Sequence, residues 1–142
     1  MNKEELPMTD LELLQQAVKA RENAYTPYSG FRVGAALEGA SGTVYLGCNV
    51  ENAAFGPTNC AERTAFFKAV SEGERRFTRI AIVGGREGEA LAFTAPCGVC
   101  RQVMAEFCRP ESFRIILGTG EGDLRSYTLA QLLPESFGPE NL

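Results

Sequence analysis

The sequence predicts one α/β domain, a β-sheet layered with helices, and three observations predict it. Helix and strand signals follow a first helix in the order ββαβαβ. The apolar run "FTRIAIVGG" is rich in β-formers and reads as a strand covered on both faces, with "FRIILG" as a second buried strand. The chain has 142 residues and no internal repeat, linker or low-complexity segment, so one domain accounts for all of it, with loose ends expected at about 1–8 and 138–142.

Each element has its own signal. "TDLE" at Thr9 to Glu12 has the capping-box pattern, and Leu11, Leu14, Ala17 and Val18 repeat at helical spacing, predicting a first helix from about Asp10 to Asn23. "FRVGAALEG" places Phe31, Val33, Ala35 and Leu37 on alternate positions, and "TVYLGCNV" follows the turn-rich "GASG", which predicts a hairpin. Apolar residues from Ala61 to Val70 mark a second helix from Cys60 to Glu72, ended by Gly73. After the strand "FTRIAIVGG" comes "EALAFT", another short strand or its approach. A third helix is expected after Pro96, a residue favoured in the first turn, running to about Cys108 before Pro110. "FRIILG", "RSYTL" and a helical turn or two in "TLAQLLP" complete the order.

Composition narrows the chemistry. With 14 basic and 18 acidic residues the net charge is -4, which argues against affinity built on neutralising a phosphate backbone and favours a small or neutral ligand. "MNKEELPMTD" has neither the apolar core of a signal peptide nor an Arg-rich presequence, and no apolar run approaches the ~20 residues that span a bilayer. The expectation is a cytoplasmic protein without membrane or nucleic-acid partners. In a reducing compartment five cysteines point to metal ligands, catalytic groups or buried apolar residues rather than disulfides. There is no histidine, so a transition-metal site must use thiolates and carboxylates, and a general base must be Glu, Asp, Lys or Tyr.

Cys97 and Cys100 form C-x-x-C on the first turn of the third helix, a spacing with which two thiolates grip one tetrahedral ion. Cys60 begins the second helix, and two helix N-termini aimed at one place would stabilise thiolates. Three thiolates and a dication leave a charge that Arg63 is placed to offset. Three protein ligands leave a fourth corner open, as in catalytic zinc sites, and Glu62, two residues from a ligand, is placed to move a proton of the water there. Other readings stand beside this one. Each cysteine alone reads equally as a small buried hydrophobe. The C-x-x-C alone reads equally as a redox pair or half of a structural site. Cys48 or Cys108 would close such a site as fourth ligand, and Glu62 alone reads as a complement to a helix N-terminus.

The combination of C-A-E on one helix start and P-C-x-x-C on another resembles the zinc-dependent nucleoside and nucleobase deaminases, whose zinc site has an all-cysteine variant. "YSGFRVGAA", "GCNVENAAFG", "NCAERTA", "APCGVCRQ" and "LLPESFGP" together are similar to the small homotetrameric cytidine deaminases, over nearly the whole chain from Tyr28 to Pro139. The resemblance implies a three-layer domain, a mixed sheet of about five strands with helices on both faces. It implies one Zn2+ per chain on Cys60, Cys97 and Cys100, with Glu62 as the catalytic proton shuttle and Arg63 neutralising the thiolates. Asn49 and Glu51 inherit the ribose hydroxyls, Phe31 flanks the pyrimidine ring, Ala61 joins the substrate-binding set, and Phe137 reaches into a neighbouring subunit's site. From the residues alone, Phe31 reads as core, Asn49 and Glu51 equally as a polar pocket or a solvated turn, and Phe137 as an exposed ring that needs a partner surface. In one departure, Phe55 stands where many relatives have a tyrosine before the Gly ahead of C-A-E, so a hydroxyl able to contact a nucleoside across a subunit boundary is missing.

The activity implied is hydrolysis of cytidine and 2'-deoxycytidine to uridine and 2'-deoxyuridine with release of ammonia, in pyrimidine salvage, by a homotetramer with shared sites. Two other readings are a deaminase of another aminopyrimidine nucleoside, such as a nucleoside antibiotic, and a non-catalytic protein with a structural zinc.

Overall fold

The computed structural model describes residues 7–142 and has four helices and five strands in them. Helix α1, Asp10–Arg21, starts as its signal predicts: the Thr9 hydroxyl accepts from the Glu12 N–H, and the Glu12 carboxylate accepts from the Thr9 N–H. It stops two residues before the expected Asn23 because the last turn tightens, the Asn23 N–H donating to the carbonyl of Ala20 at 3.2 Å. Its buried face is Leu13, Leu14, Ala17 and Ala20, one position round from the expected stripe.

Strands β1, Phe31–Gly39, and β2, Val44–Cys48, form the predicted antiparallel hairpin. Helix α2 spans Ala61–Ser71, strand β3 Phe77–Arg86, helix α3 Gly98–Phe107 and strand β4 Arg114–Gly118. Strand β5, Leu124–Thr128, leads into the four-residue helix α4, Leu129–Leu132, and a 3-10 turn at Pro139–Asn141 ends the chain. Of the two termini expected to be loose, residues 1–6 lie outside the described residues. The stretch "EALAFT" is the approach rather than a strand: it makes a single bridge, Gly84 to Ala92. Pro96 precedes the α3 cap instead of occupying its first turn, which leaves the cap position to Cys97.

The sheet order is β2-β1-β3-β4-β5. Only β3 and β4 run parallel, joined by the crossover through α3, and the other neighbours are antiparallel, so the sheet is mixed. Period-two alternation builds two cores. On one face Ala36, Ala81, Val83 and Ile116 pack against Leu13, Leu14 and Ala17 of α1. On the other, Ala35, Leu37, Ile80, Ile82 and Ile115 pack against α2 and α3, through Ala65, Phe66 and Met104. The result is the three-layer domain expected.

One glycine decides how closely α2 approaches. A Cβ on Gly47 of β2 would lie 2.4 Å from the Ala61 carbonyl oxygen and 2.6 Å from the Ala65 nitrogen. A bare backbone there lets the first turn of α2 press on the sheet, which sets the depth of Cys60 and Glu62. Among the described residues, no helix is long and apolar enough to cross a membrane.

Candidate metal and catalytic site

Cys60 and Cys97 are the N-cap residues of α2 and α3, both in extended backbone, and neither uses its side chain to cap. The sulfurs are therefore free of the helices they begin. Cys60 Sγ lies 3.7 Å from Cys97 Sγ, and the Cys97 thiol donates to Cys100 Sγ at 3.4 Å. Sulfurs sharing a tetrahedral zinc at ~2.3 Å stand ~3.8 Å apart, so this donor set fits that ion. Neither Cys48 nor Cys108 belongs to the group: among the described residues the three sulfurs that gather within 4.8 Å are those of Cys60, Cys97 and Cys100. Cys108 is buried at the far end of α3, where burial pushes its thiol up. Cys48, on β2, is likewise pushed up by burial.

The surroundings favour negative charge on this cluster. Arg63 Nη2 donates to Cys60 Sγ at 3.2 Å, while its Nε is buried without a hydrogen-bond partner. The Cys60 thiol is lowered to about 5, first by hydrogen bonding from Cys100 and, against the cost of burial, also by Arg63 and Cys97. Cys100 is pushed the other way, holding the proton it shares with Cys60 in a buried position. Two helix N-termini add partial positive charge at the same point.

Glu62 lies on the first turn of α2 with only 4% of its surface exposed. Burial, joined by the nearby Cys60 charge, raises its carboxyl to about 7. Together with Cys60 and Cys97 it lines a cavity of about 160 Å3, whose walls include Val33, Asn49 and Ala61. A carboxyl that gains or loses a proton near neutrality, beside a metal-binding cluster and inside a cavity, is suited to general acid–base chemistry.

The remaining predicted residues divide. Asn49 and Ala61 share the cavity with Glu62. The Asn49 amide is held by β1: its Oδ1 accepts from the Val33 N–H and its Nδ2 donates to the Phe31 carbonyl, both at 2.9 Å. Phe31 opens β1 and is partly buried, tied to the cavity wall through that bond. Glu51 lines a neighbouring cavity of about 350 Å3 with Tyr28, Ser29 and Phe55. Phe137 stands outside both, 58% exposed, its carbonyl accepting from Gln102 Nε2 at 2.9 Å. Sequence reasoning missed Thr94 and Ala95, which complete the cavity that Glu62 lines. Their only signal was adjacency to Pro96 and Cys97.

The chain is similar to known proteins over most of its length. A family model described as the cytidine and deoxycytidylate deaminase zinc-binding region matches residues 7–115, a span containing all three clustered cysteines and Glu62. A cytidine deaminase of Sporosarcina psychrophila is 53% identical over 131 residues, 92% of this chain and 93% of that one. Another, from Halalkalibacterium halodurans, is 49% identical, covering 92% and 95%. The crystal structure of cytidine deaminase from Burkholderia pseudomallei superposes with a TM-score of 0.83 at 48% identity, covering 92% of this chain and 100% of that one. On the match of its zinc-binding region and on relatives aligned over nearly its whole length, the chain belongs to the cytidine and deoxycytidylate deaminase family.

Proposed function

We propose that the protein hydrolyses cytidine and 2'-deoxycytidine to the corresponding uracil nucleosides and ammonia, in pyrimidine salvage. The observation that carries this is the placement of the buried Glu62 carboxyl and the Cys60 and Cys97 sulfurs in one cavity. Cys60, Cys97 and Cys100 would hold one zinc. When bound, zinc supplies Lewis acidity, lowering the pKa of a water to ~7 and making it a nucleophile at neutral pH.

This chain's residues then handle the protons. The Glu62 carboxylate accepts a proton from the water as its oxygen bonds to C4 of the cytosine ring, and returns it to ring N3. A second proton, from the same oxygen, passes through Glu62 to the exocyclic amine, which leaves as ammonia while the C4–oxygen bond becomes the uracil carbonyl. A carboxyl buried on the first turn of α2 beside the thiol cluster is placed to serve both directions of transfer. Arg63 offsets the charge of three thiolates through its bond to Cys60. Asn49, Glu51, Ala61 and Phe31 form the substrate-binding set of this reading.

The active form would be a homotetramer in which Phe137 enters a neighbour's site. Its support is the apolar surface a lone chain leaves open: Phe55 is 83% exposed and Phe137 58%. A cytoplasmic setting is supported by the thiols, all five cysteines being free.

The test combines zinc content by mass spectrometry with ultraviolet absorbance on cytidine, for the protein and for Glu62→Gln. Near one zinc per chain, with loss of the cytosine band and ammonia release that Glu62→Gln abolishes, is the expected result. Zinc without turnover on any cytosine nucleoside would favour a structural metal.

A further inference from the structure

Glu51 does not stand free in its cavity. Its Oε1 accepts from the backbone N–H groups of Tyr28 at 3.1 Å and Ser29 at 3.2 Å, and its Oε2 accepts from the Ser29 hydroxyl at 2.5 Å. A carboxylate offers about four acceptor positions, so three are occupied and about one is left. The Ser29 oxygen also accepts from the Phe31 N–H at 3.0 Å. Phe31 in turn accepts from Asn49 through its carbonyl. One continuous line of hydrogen bonds thus runs from Glu51 through Ser29 and Phe31 to Asn49, joining the cavity of Glu51 to that of Glu62.

We propose that Ser29 is a positioning residue for the sugar end of the substrate: its hydroxyl orients the Glu51 carboxylate so that the remaining acceptor position faces a sugar hydroxyl, in register with Asn49 on the wall of the neighbouring cavity. This rests on the reading of Glu51 as a sugar-binding residue given above. The two backbone donors alone hold one oxygen and leave the carboxylate free to swing, and among the described residues only the Ser29 hydroxyl engages the second oxygen. Because the free position is an acceptor, the site selects a sugar that donates a hydrogen bond. Ser29 itself need not touch the substrate.

The experiment compares cytidine with 2',3'-dideoxycytidine, whose sugar lacks both ring hydroxyls, on the zinc-loaded protein. Ser29→Ala should lower kcat/KM for cytidine by about tenfold, the size of one charge-assisted hydrogen bond, chiefly through KM. It should leave the value for dideoxycytidine within about twofold, because the lost contact is absent from that complex. Ser29→Thr, which keeps the hydroxyl, should restore cytidine. Equal losses on both substrates would mean a merely structural role and overturn the proposal. Glu51→Ala separates the two levels of the argument. If it shows the cytidine-specific loss and Ser29→Ala does not, Ser29 is not the positioning residue. If Glu51→Ala shows none, the sugar-binding reading fails and takes the proposal with it. Should Ser29→Ala not fold, Ser29→Cys, whose thiol is a weak donor, makes the same comparison.

Discussion

The sulfur atoms of Cys60 and Cys97 lie 3.7 Å apart across 37 positions of sequence, and each residue is the N-cap of its own helix. Two helix ends, each with unpaired N–H groups and partial positive charge, thus face one thiol cluster. Cys97→Ala should cut zinc from near one per chain to a small fraction and abolish turnover. Cys48→Ala and Cys108→Ala, outside the cluster, should keep the metal. Mass-spectrometric zinc analysis of the three variants decides this.

Glu62→Gln should retain zinc and lower kcat by about 10³-fold or more, as expected for loss of a proton-transfer group.

Without metal the same substitution should be stabilising in a pH-dependent way. The folded-state carboxyl is raised from 4.5 to about 7, so the native state binds the proton more tightly than the unfolded chain. Stability from this group is therefore full below pH ~4.5, falls as pH rises to ~7 and is flat above. Relative to the unsubstituted protein, chelator-treated Glu62→Gln should gain up to about 3 kcal/mol between pH 4.5 and 8. Urea denaturation across that range would show the gain, and a difference independent of pH would contradict it.

Arg63→Ala removes the guanidinium that bonds Cys60. Zinc affinity should fall about 10- to 100-fold, the usual cost of losing a group that orients and neutralises metal ligands. Competition with a chromophoric chelator measures it, and unchanged affinity would show the contact to be incidental.

Gly47→Ala should destabilise the fold by at least ~2 kcal/mol, because the added methyl meets the α2 backbone rather than a flexible side chain. It should also weaken zinc binding, since the displaced helix carries Cys60. Thermal unfolding and zinc content, read on the same sample, test both effects.

At the other end of the sheet, Arg79 is buried between Asp10, at 2.6 Å, and Glu38, at 2.8 Å. Glu38 is held below the usual carboxylate range first by Arg79. Asp10 is held there first by Arg114 and then, against burial, by Arg79. Their stabilisation is present above pH ~4 and is lost as pH falls further. Arg79→Met should cost about 2 kcal/mol at pH 7, chiefly by taking from the partly buried Glu38 its charged partner while Asp10 keeps Arg114, and the deficit should shrink in acid.

Much of the fold was legible because its signals are local. The Thr9–Glu12 box, the alternation in β1 and the apolar run of β3 each act within one element, and each element formed where expected. The segment from Glu89 to Thr94 was ambiguous for the opposite reason: its Leu91 and Phe93 pack against the two cores on opposite faces of the sheet, as strand residues would, but a single bridge replaces a ladder of strand hydrogen bonds. Asn49 and Glu51 show the same limit. Two residues apart in sequence, they belong to different cavities, and the bonds that hold them come from β1 and from the Tyr28–Ser29 turn.

Residue type and short-range periodicity set the chemistry available to this protein: thiols and one carboxyl at helix starts, no histidine, and the order of strands and helices. Tertiary structure alone decided that the three sulfurs meet, that Cys48 and Cys108 do not join them, and that Glu62 is buried enough to titrate near neutrality. Those outcomes depend on the parallel β3–β4 crossover and on the close approach that Gly47 permits. Distances between atoms far apart in the chain, and the desolvation that follows from them, exist only once the layers have packed.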